Sequence, residues 1–172
     1  IQSIYEDSRG NIWVGTNSQG LGILDRKSGR FKKFRYKADA AHSIPGDMIV
    51  SIAEDNKANL WIAAYNSGGS QTRGGVCRLD LNQISSAPFQ PLSLPQENPA
   101  VQLLLPDARG GLWIGIENYG LGFLESDYQT LHVYRNESSN PYSLNNNSFY
   151  SLYQDKNQDI WIGTFTGGVN VI

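Results

Sequence analysis

One cysteine, one methionine and two histidines are all that these 172 residues hold of their kinds, and each scarcity closes off a chemistry. Cys77 alone forms no internal disulfide and no thiolate metal site. Standing in GVCRLDL with no histidine near it in sequence, it reads as a small buried strand residue rather than a nucleophile. His42 and His132 lie far apart in the chain, so neither a metal nor a cofactor is expected. No apolar run approaches the roughly 18 residues of a membrane span. Nor does a basic segment precede an apolar one at Ile1, so any export or anchoring segment is expected outside this chain. Charge is scarce and balanced, with 14 Lys and Arg against 16 Asp and Glu, a net of −2. The one basic run, RFKKFRYK at 30–37, alternates cations with Phe31, Phe34 and Tyr36, which is the pattern of an exposed outer strand. A nucleic-acid surface is not expected. Long helical periodicity is also missing, whereas 18 glycines and 11% aromatics fit a turn-rich all-β chain.

What is present is a phrase that returns four times: EDSRGNIWVGT at 6–16, EDNKANLWIAA at 54–64, PDARGGLWIGI at 106–116 and QDKNQDIWIGT at 154–164. Trp13, Trp61, Trp113 and Trp161 occupy the same place in it, 48, 52 and 48 residues apart. A repeat of this length, built from strand-like runs and turns, predicts β-propeller blades, each a four-stranded antiparallel meander. In the first unit IQSIYED alternates, turns at 8–10, and NIWVGT follows as a second strand. Asp7, Asp55, Asp107 and Asp155 precede the four turns, where an aspartate accepts N–H bonds from the residues that follow it. A Gly-apolar third strand begins at Gly20, Gly75, Gly120 and Gly168. A fourth strand is expected at Phe31–Phe34, at 89–94 and at Leu131–Tyr134. The strands near Ser3, Ser51 and Ser151 are expected innermost.

The blades therefore span approximately 1–36, 48–95, 100–135 and 148–172, the last one incomplete, within a single propeller segment. Such a chain is expected to be part of a larger propeller, the alternatives being a compact four-bladed ring with one short blade or an open arc completed by a second copy. Each tryptophan, mid-strand at an equivalent position, is expected to pack one blade on the next.

Recognition is expected on the connections between strands two and three. The third-strand glycine follows the tryptophan by seven positions in units one, three and four, and by fourteen in unit two. The inserted loop at 65–75 offers Tyr65, Asn66, Gln71 and Arg73. The matching loops offer Asn17, Gln19, Glu117, Asn118, Tyr119, Phe165 and Thr166, with His42 and Tyr142 bordering the same face. Aromatic faces for the C–H surface of a neutral sugar, beside planar polar groups for its hydroxyls, suit an oligosaccharide.

The D-x-x-G-N-x-W-x-G-T phrase, with the linkers AHSIPGDMIVSIAED at 41–55 and NPYSLNNNSFYSLYQD at 140–155, resembles the two-component regulator propeller repeat. Ala63-Ala64 and Ile116 depart from the Gly-Thr of that phrase. The resemblance implies a periplasmic sensor segment of a hybrid two-component histidine kinase of Bacteroidetes type. It implies a homodimeric parent that recognises an oligosaccharide and meets the membrane only through segments outside this chain. The segment itself is expected to be non-catalytic. The alternative is a protein-interaction or dimerisation propeller without small-ligand binding. A glycan-active enzyme is a third class; it needs two carboxylates about 5–10 Å apart over a pocket, and the loop face offers Glu117 with Asp47 or Glu97.

Overall fold

Two short alternating runs either side of an Asp-led turn can pair only as a hairpin, and the chain repeats that hairpin four times. The computed structural model describes residues 1–65, 73–84 and 89–172. Strands β1 (Ser3–Glu6), β2 (Ile12–Gly15), β3 (Leu21–Asp25) and β4 (Arg30–Phe34) form the first sheet in chain order. The second contains β5 (Ile49–Glu54), β6 (Asn59–Ala64), β7 (Gly75–Asp80) and β8 (Gln90–Pro91). The third contains β9 (Val101–Pro106), β10 (Leu112–Ile116), β11 (Gly120–Leu124) and β12 (Leu131–Tyr134). The fourth has three strands, β13 (Phe149–Gln154), β14 (Ile160–Thr164) and β15 (Gly168–Val171).

Each sheet is a meander, and among the described residues the one helical element is a 3₁₀ turn at Leu81–Gln83. The chain is all-β, and its sheets are propeller blades. The outer strand anticipated at 89–94 is the pair Gln90–Pro91, followed by one further bond from the Leu92 N–H to the Val76 carbonyl at 2.9 Å.

The chain divides into two compact units, Ile1–Val101 and Gln102–Ile172. In the first, Trp13 and Leu21 of the first sheet share one core with Ile49, Ile52, Leu60 and Ile62 of the second. Phe34 stacks on Trp13 at 6.3 Å and meets Phe89 edge-on at 5.2 Å. The basic outer strand is thus divided: Lys32 and Lys33 are exposed, while Phe34 and Tyr36 pack on the core. Cys77 is fully buried in the same core, and burial pushes its thiol pKa up, which leaves it inert.

In the second unit, Trp113 and Leu121 pack with Phe149, Ile160 and Ile162. Trp113 is also 4.5 Å from Phe123 and 5.9 Å from Tyr134 between ring centroids. Within each unit, then, a tryptophan of one blade joins the core of the next. Full burial of such a side chain stabilises by roughly 1.5–3 kcal/mol or more at about 25 cal/mol per Å².

Trp161 departs from the expected pattern. Trp13, Trp61 and Trp113 are 0–4% exposed, but Trp161 is 44% exposed. Its strand pairs with β13 and β15 as the other tryptophan strands pair with their neighbours, so the difference lies in what covers the sheet face and not in the strand. Tyr153, Val169 and Val171 of that sheet are exposed with it.

Candidate ligand-binding face

The frame that holds the connections is the same in all four blades. Trp13, Trp61, Trp113 and Trp161 each donate from Nε1 to Oδ2 of the aspartate six residues before, at 2.9, 2.9, 3.0 and 3.0 Å. The other carboxylate oxygen accepts backbone N–H groups of the turn: Arg9 and Asn11 on Asp7, Lys57 and Asn59 on Asp55, Arg109 on Asp107, Asn157 and Asp159 on Asp155. Burial alone would raise the pKa of Asp7 and Asp107. The bonds from Trp13 and Asn11, and from Arg109 and Trp113, outweigh it and hold both carboxyls below the ordinary range. At Asp155 the bond from Trp161 leads in the same direction.

A second repeated device fixes the linkers. Ser43 Oγ donates to the Lys37 carbonyl and Ser143 Oγ to the Glu137 carbonyl, at 3.2 and 3.1 Å, and each accepts the N–H of the same residue. Ile44 and Leu144 then plug into the core. Four residues after each serine, Asp47 accepts the N–H of Tyr36 and Asn147 that of Asn136, at 2.9 and 2.7 Å.

On this frame the candidate side chains fall into separate groups. In the first unit, Asn17 accepts from Gln2 Nε2 at 3.0 Å, and Gln19 accepts from Arg35, which also pairs with Asp47 at 2.9 Å. Asp47 is thereby tied to a cation and a backbone amide. Gln19 lines an apolar hollow with Ile1, Val14, Leu21 and Phe31, whereas Arg73 lines a different cleft of about 340 Å³ with Tyr36, Lys37, Gln96 and Asn98. Tyr65 is half-buried, its N–H bound to the Met48 carbonyl at 2.9 Å. Asn66 and Gln71 lie outside the described residues.

In the second unit the turns do converge. Ser148 Oγ donates to Asn118 Oδ1 at 3.2 Å while its carbonyl accepts the Phe165 N–H at 3.0 Å, so one residue joins the β10–β11 and β14–β15 turns. Phe165 packs on Tyr150 with centroids 5.4 Å apart, and the Arg135 guanidinium sits 4.0 Å over the Tyr119 ring. Glu117 is half-buried beside them in sequence, and Asn118 takes a positive φ of 55° at the turn. Tyr142 is 96% exposed, and His42 is exposed with Nδ1 3.3 Å from the Phe89 carbonyl oxygen. Lys37, Gln96 and Asn98 were not among the sequence candidates. They come from the connections between blades, where no repeated phrase marks them.

The profile of the family described as "two component regulator propeller" matches residues 1–18 and 143–166, the first and last of these tryptophan hairpins with the second linker. Both segments are similar to two-component regulator propeller repeats. A histidine kinase of Formosa agariphila is 33% identical to this chain over 70 residues, 40% of this chain and 5% of the kinase. The extracellular domain of a putative hybrid two component system of B. thetaiotaomicron superposes with a TM-score of 0.79 at 24% identity, covering 99% of this chain and 21% of that one. The major allergen Mala s 1 of Malassezia sympodialis superposes with a TM-score of 0.67 at 10% identity, over 99% of this chain and 59% of its own. Sensor and allergen share the fold, so the fold alone does not assign the function. The chain spans about a fifth of the sensor domain and a twentieth of the kinase.

Proposed function

We propose that this chain is a periplasmic ligand-sensing segment of a hybrid two-component sensor histidine kinase, and that its inter-strand connections recognise an oligosaccharide. The observation that carries the reading is the matched pair of regulator-propeller repeats, set beside a histidine kinase relative and the extracellular domain of a hybrid sensor. The joined turns of the second unit supply support of another kind. Tyr119, Tyr150 and Phe165 offer ring faces for the C–H surface of a sugar, and Asn118 and Glu117 offer planar groups for its hydroxyls. In this reading the segment acts by binding, and catalysis belongs to the kinase of the parent.

A protein-interaction reading is favoured by one feature, the exposed apolar face of Tyr153, Trp161, Val169 and Val171. Calorimetric titration of the parent's whole extracytoplasmic region with a glycan panel separates the two. Binding that weakens at least tenfold in Tyr119→Ala supports the sensor reading. Absence of binding by every glycan supports the interaction reading.

A further inference from the structure

The chain is acidic overall, with a net charge of −2, yet one region of the first unit reverses that sign. Among the described residues, the cleft that contains Arg73 is lined by Lys37 as a second cation and by no aspartate or glutamate. Asp39 and Glu97 stand next to lining segments in sequence but are not part of the lining. A second cleft, of about 250 Å³, lies on the same linker and shares Lys37, Ala40, Ser43 and Ile44 with the first. It adds Lys33, Arg35 and His42, again with no carboxylate among the described lining residues.

Among these cations Arg35 is committed to Asp47. Among the described residues, Lys33, Lys37 and Arg73 have no ion-pair partner, and all three are exposed. The linker that separates the two clefts is held by the Ser43 clamp and the buried Ile44, so Lys37 projects from a fixed backbone. Half-buried Tyr36 lines the larger cleft and supplies an apolar face, and Gln96 supplies an amide.

Resting on the oligosaccharide reading above, we infer that these paired clefts bind the oxyanion groups of an acidic oligosaccharide, Arg73 and Lys37 gripping one negatively charged ring and Lys33 with Lys37 the next. Cations without local counter-charges on a concave surface raise the local concentration of anions and hold them by charge-assisted hydrogen bonds. Arg73 adds a planar fork that matches a carboxylate or a sulfate with two parallel bonds. Carboxylate and sulfate ester present the same chemistry to this surface, and the ligands of the test separate them.

The test titrates the parent's extracytoplasmic region with three probes: an oligogalacturonide, a sulfated neutral oligosaccharide and the unsulfated form of the latter. At least one charged probe is expected to bind, the unsulfated form is expected to bind at least tenfold more weakly, and the affinity should fall roughly tenfold when salt is raised enough to shorten the screening length from about 10 to about 3 Å. The double variant Lys37→Ala/Arg73→Ala should lose at least tenfold for the charged probe. Because both side chains are exposed, an unchanged thermal unfolding midpoint should accompany that loss.

Equal binding of charged and uncharged probes, or a charged-probe affinity untouched by the double variant, overturns the inference while leaving the glycan reading standing. No binding by these three probes together with binding of another, neutral glycan does the same. No binding by any glycan overturns both.

Discussion

Trp113 Nε1 donates to Asp107 Oδ2 at 3.0 Å, and this one bond ties the start of β10 to the turn that leads into it. The Asp107 carboxylate is buried, and besides the indole it is held by Arg109 and by Gln154 Nε2. Removing the donor leaves a buried carboxylate oxygen with a partner missing, which costs more than the bond itself contributed. Trp113→Phe keeps most of the apolar area and removes the N–H. Urea unfolding of this variant is expected to show a loss of about 1–3 kcal/mol. A loss no larger than that of a surface substitution would show that the bond does not hold the turn.

Burial, and not strand position, decides what each indole contributes. Trp113 is 4% exposed and Trp161 44% exposed at equivalent positions. Trp113→Ala is expected to destabilise by roughly 3–5 kcal/mol. Trp161→Ala should cost roughly half of that or less, since about half of its area is in water already. Unfolding midpoints of the two variants, measured side by side, give the comparison.

These contrasts show how far the chain could be read before it was folded. The blades were legible because period-two alternation and Asp-led turns are local, and Trp13, Trp61, Trp113 and Trp161 fall at one phase of them. The aspartates were legible as turn formers, and the backbone N–H groups of Arg9, Lys57, Arg109 and Asn157 do bind them. Their second role was not. Whether an indole folds back over the turn is a matter of side-chain direction, which a spacing of six residues does not encode. The exposure of Trp161 depends on what lies against its sheet in space, and the clefts around Lys37 depend on linkers from opposite ends of a blade, so neither leaves a mark in the repeated phrase.

Acid should loosen the same turns. The carboxyls of Asp7, Asp107 and Asp155 have folded-state pKa values below the ordinary carboxylate range, the first two in spite of burial. A depressed folded pKa means that the contribution is present in full above the unfolded value of about 4. It is lost as pH falls from there through the folded values. Stability measured by denaturant should therefore vary little on account of these groups between about pH 5 and 7, and drop below about pH 4. Asp107→Asn should be less stable at pH 7 and show a shallower drop. An equally steep drop in that variant would assign the acid response to other groups.

At the same turn position the four blades use Gly10, Ala58, Gly110 and Gln158, with φ values of 78°, 59°, 98° and 73°. The left-handed region costs an L residue with a Cβ roughly 1–2 kcal/mol relative to glycine, offset in part by the greater freedom of glycine when unfolded. Gln158 is exposed, and its N–H bond to the Asp155 carbonyl at 3.0 Å is retained by any residue. Gln158→Gly is expected to raise stability by up to about 1 kcal/mol, read as a higher urea midpoint with an unchanged slope.

Gly15 makes the opposite case, since its conformation is ordinary and its surroundings are not. It lies in β2 opposite Ser3, and a Cβ built on it would stand 2.6 Å from the Ile49 backbone oxygen of the neighbouring sheet. Ser3 Oγ and Ile49 Cγ2 crowd the same spot. The serine hydroxyl can rotate away, but the Ile49 carbonyl cannot, because Ile49 N–H is bound to the Thr16 carbonyl at 2.9 Å and its side chain is fully buried. A methyl group there must part β2 from β5, and overpacking of this kind costs about 1–3 kcal/mol. The corresponding residue of the second blade is Ala63, fully buried, so a methyl at this position is not foreign to the fold. Gly15→Ala therefore probes the approach of one blade to the next rather than the blade itself. Its expected signature is a lower unfolding midpoint with the β1–β2 amides still protected from hydrogen exchange as long as the unit is folded. Loss of that protection under native conditions would place the strain within the hairpin instead.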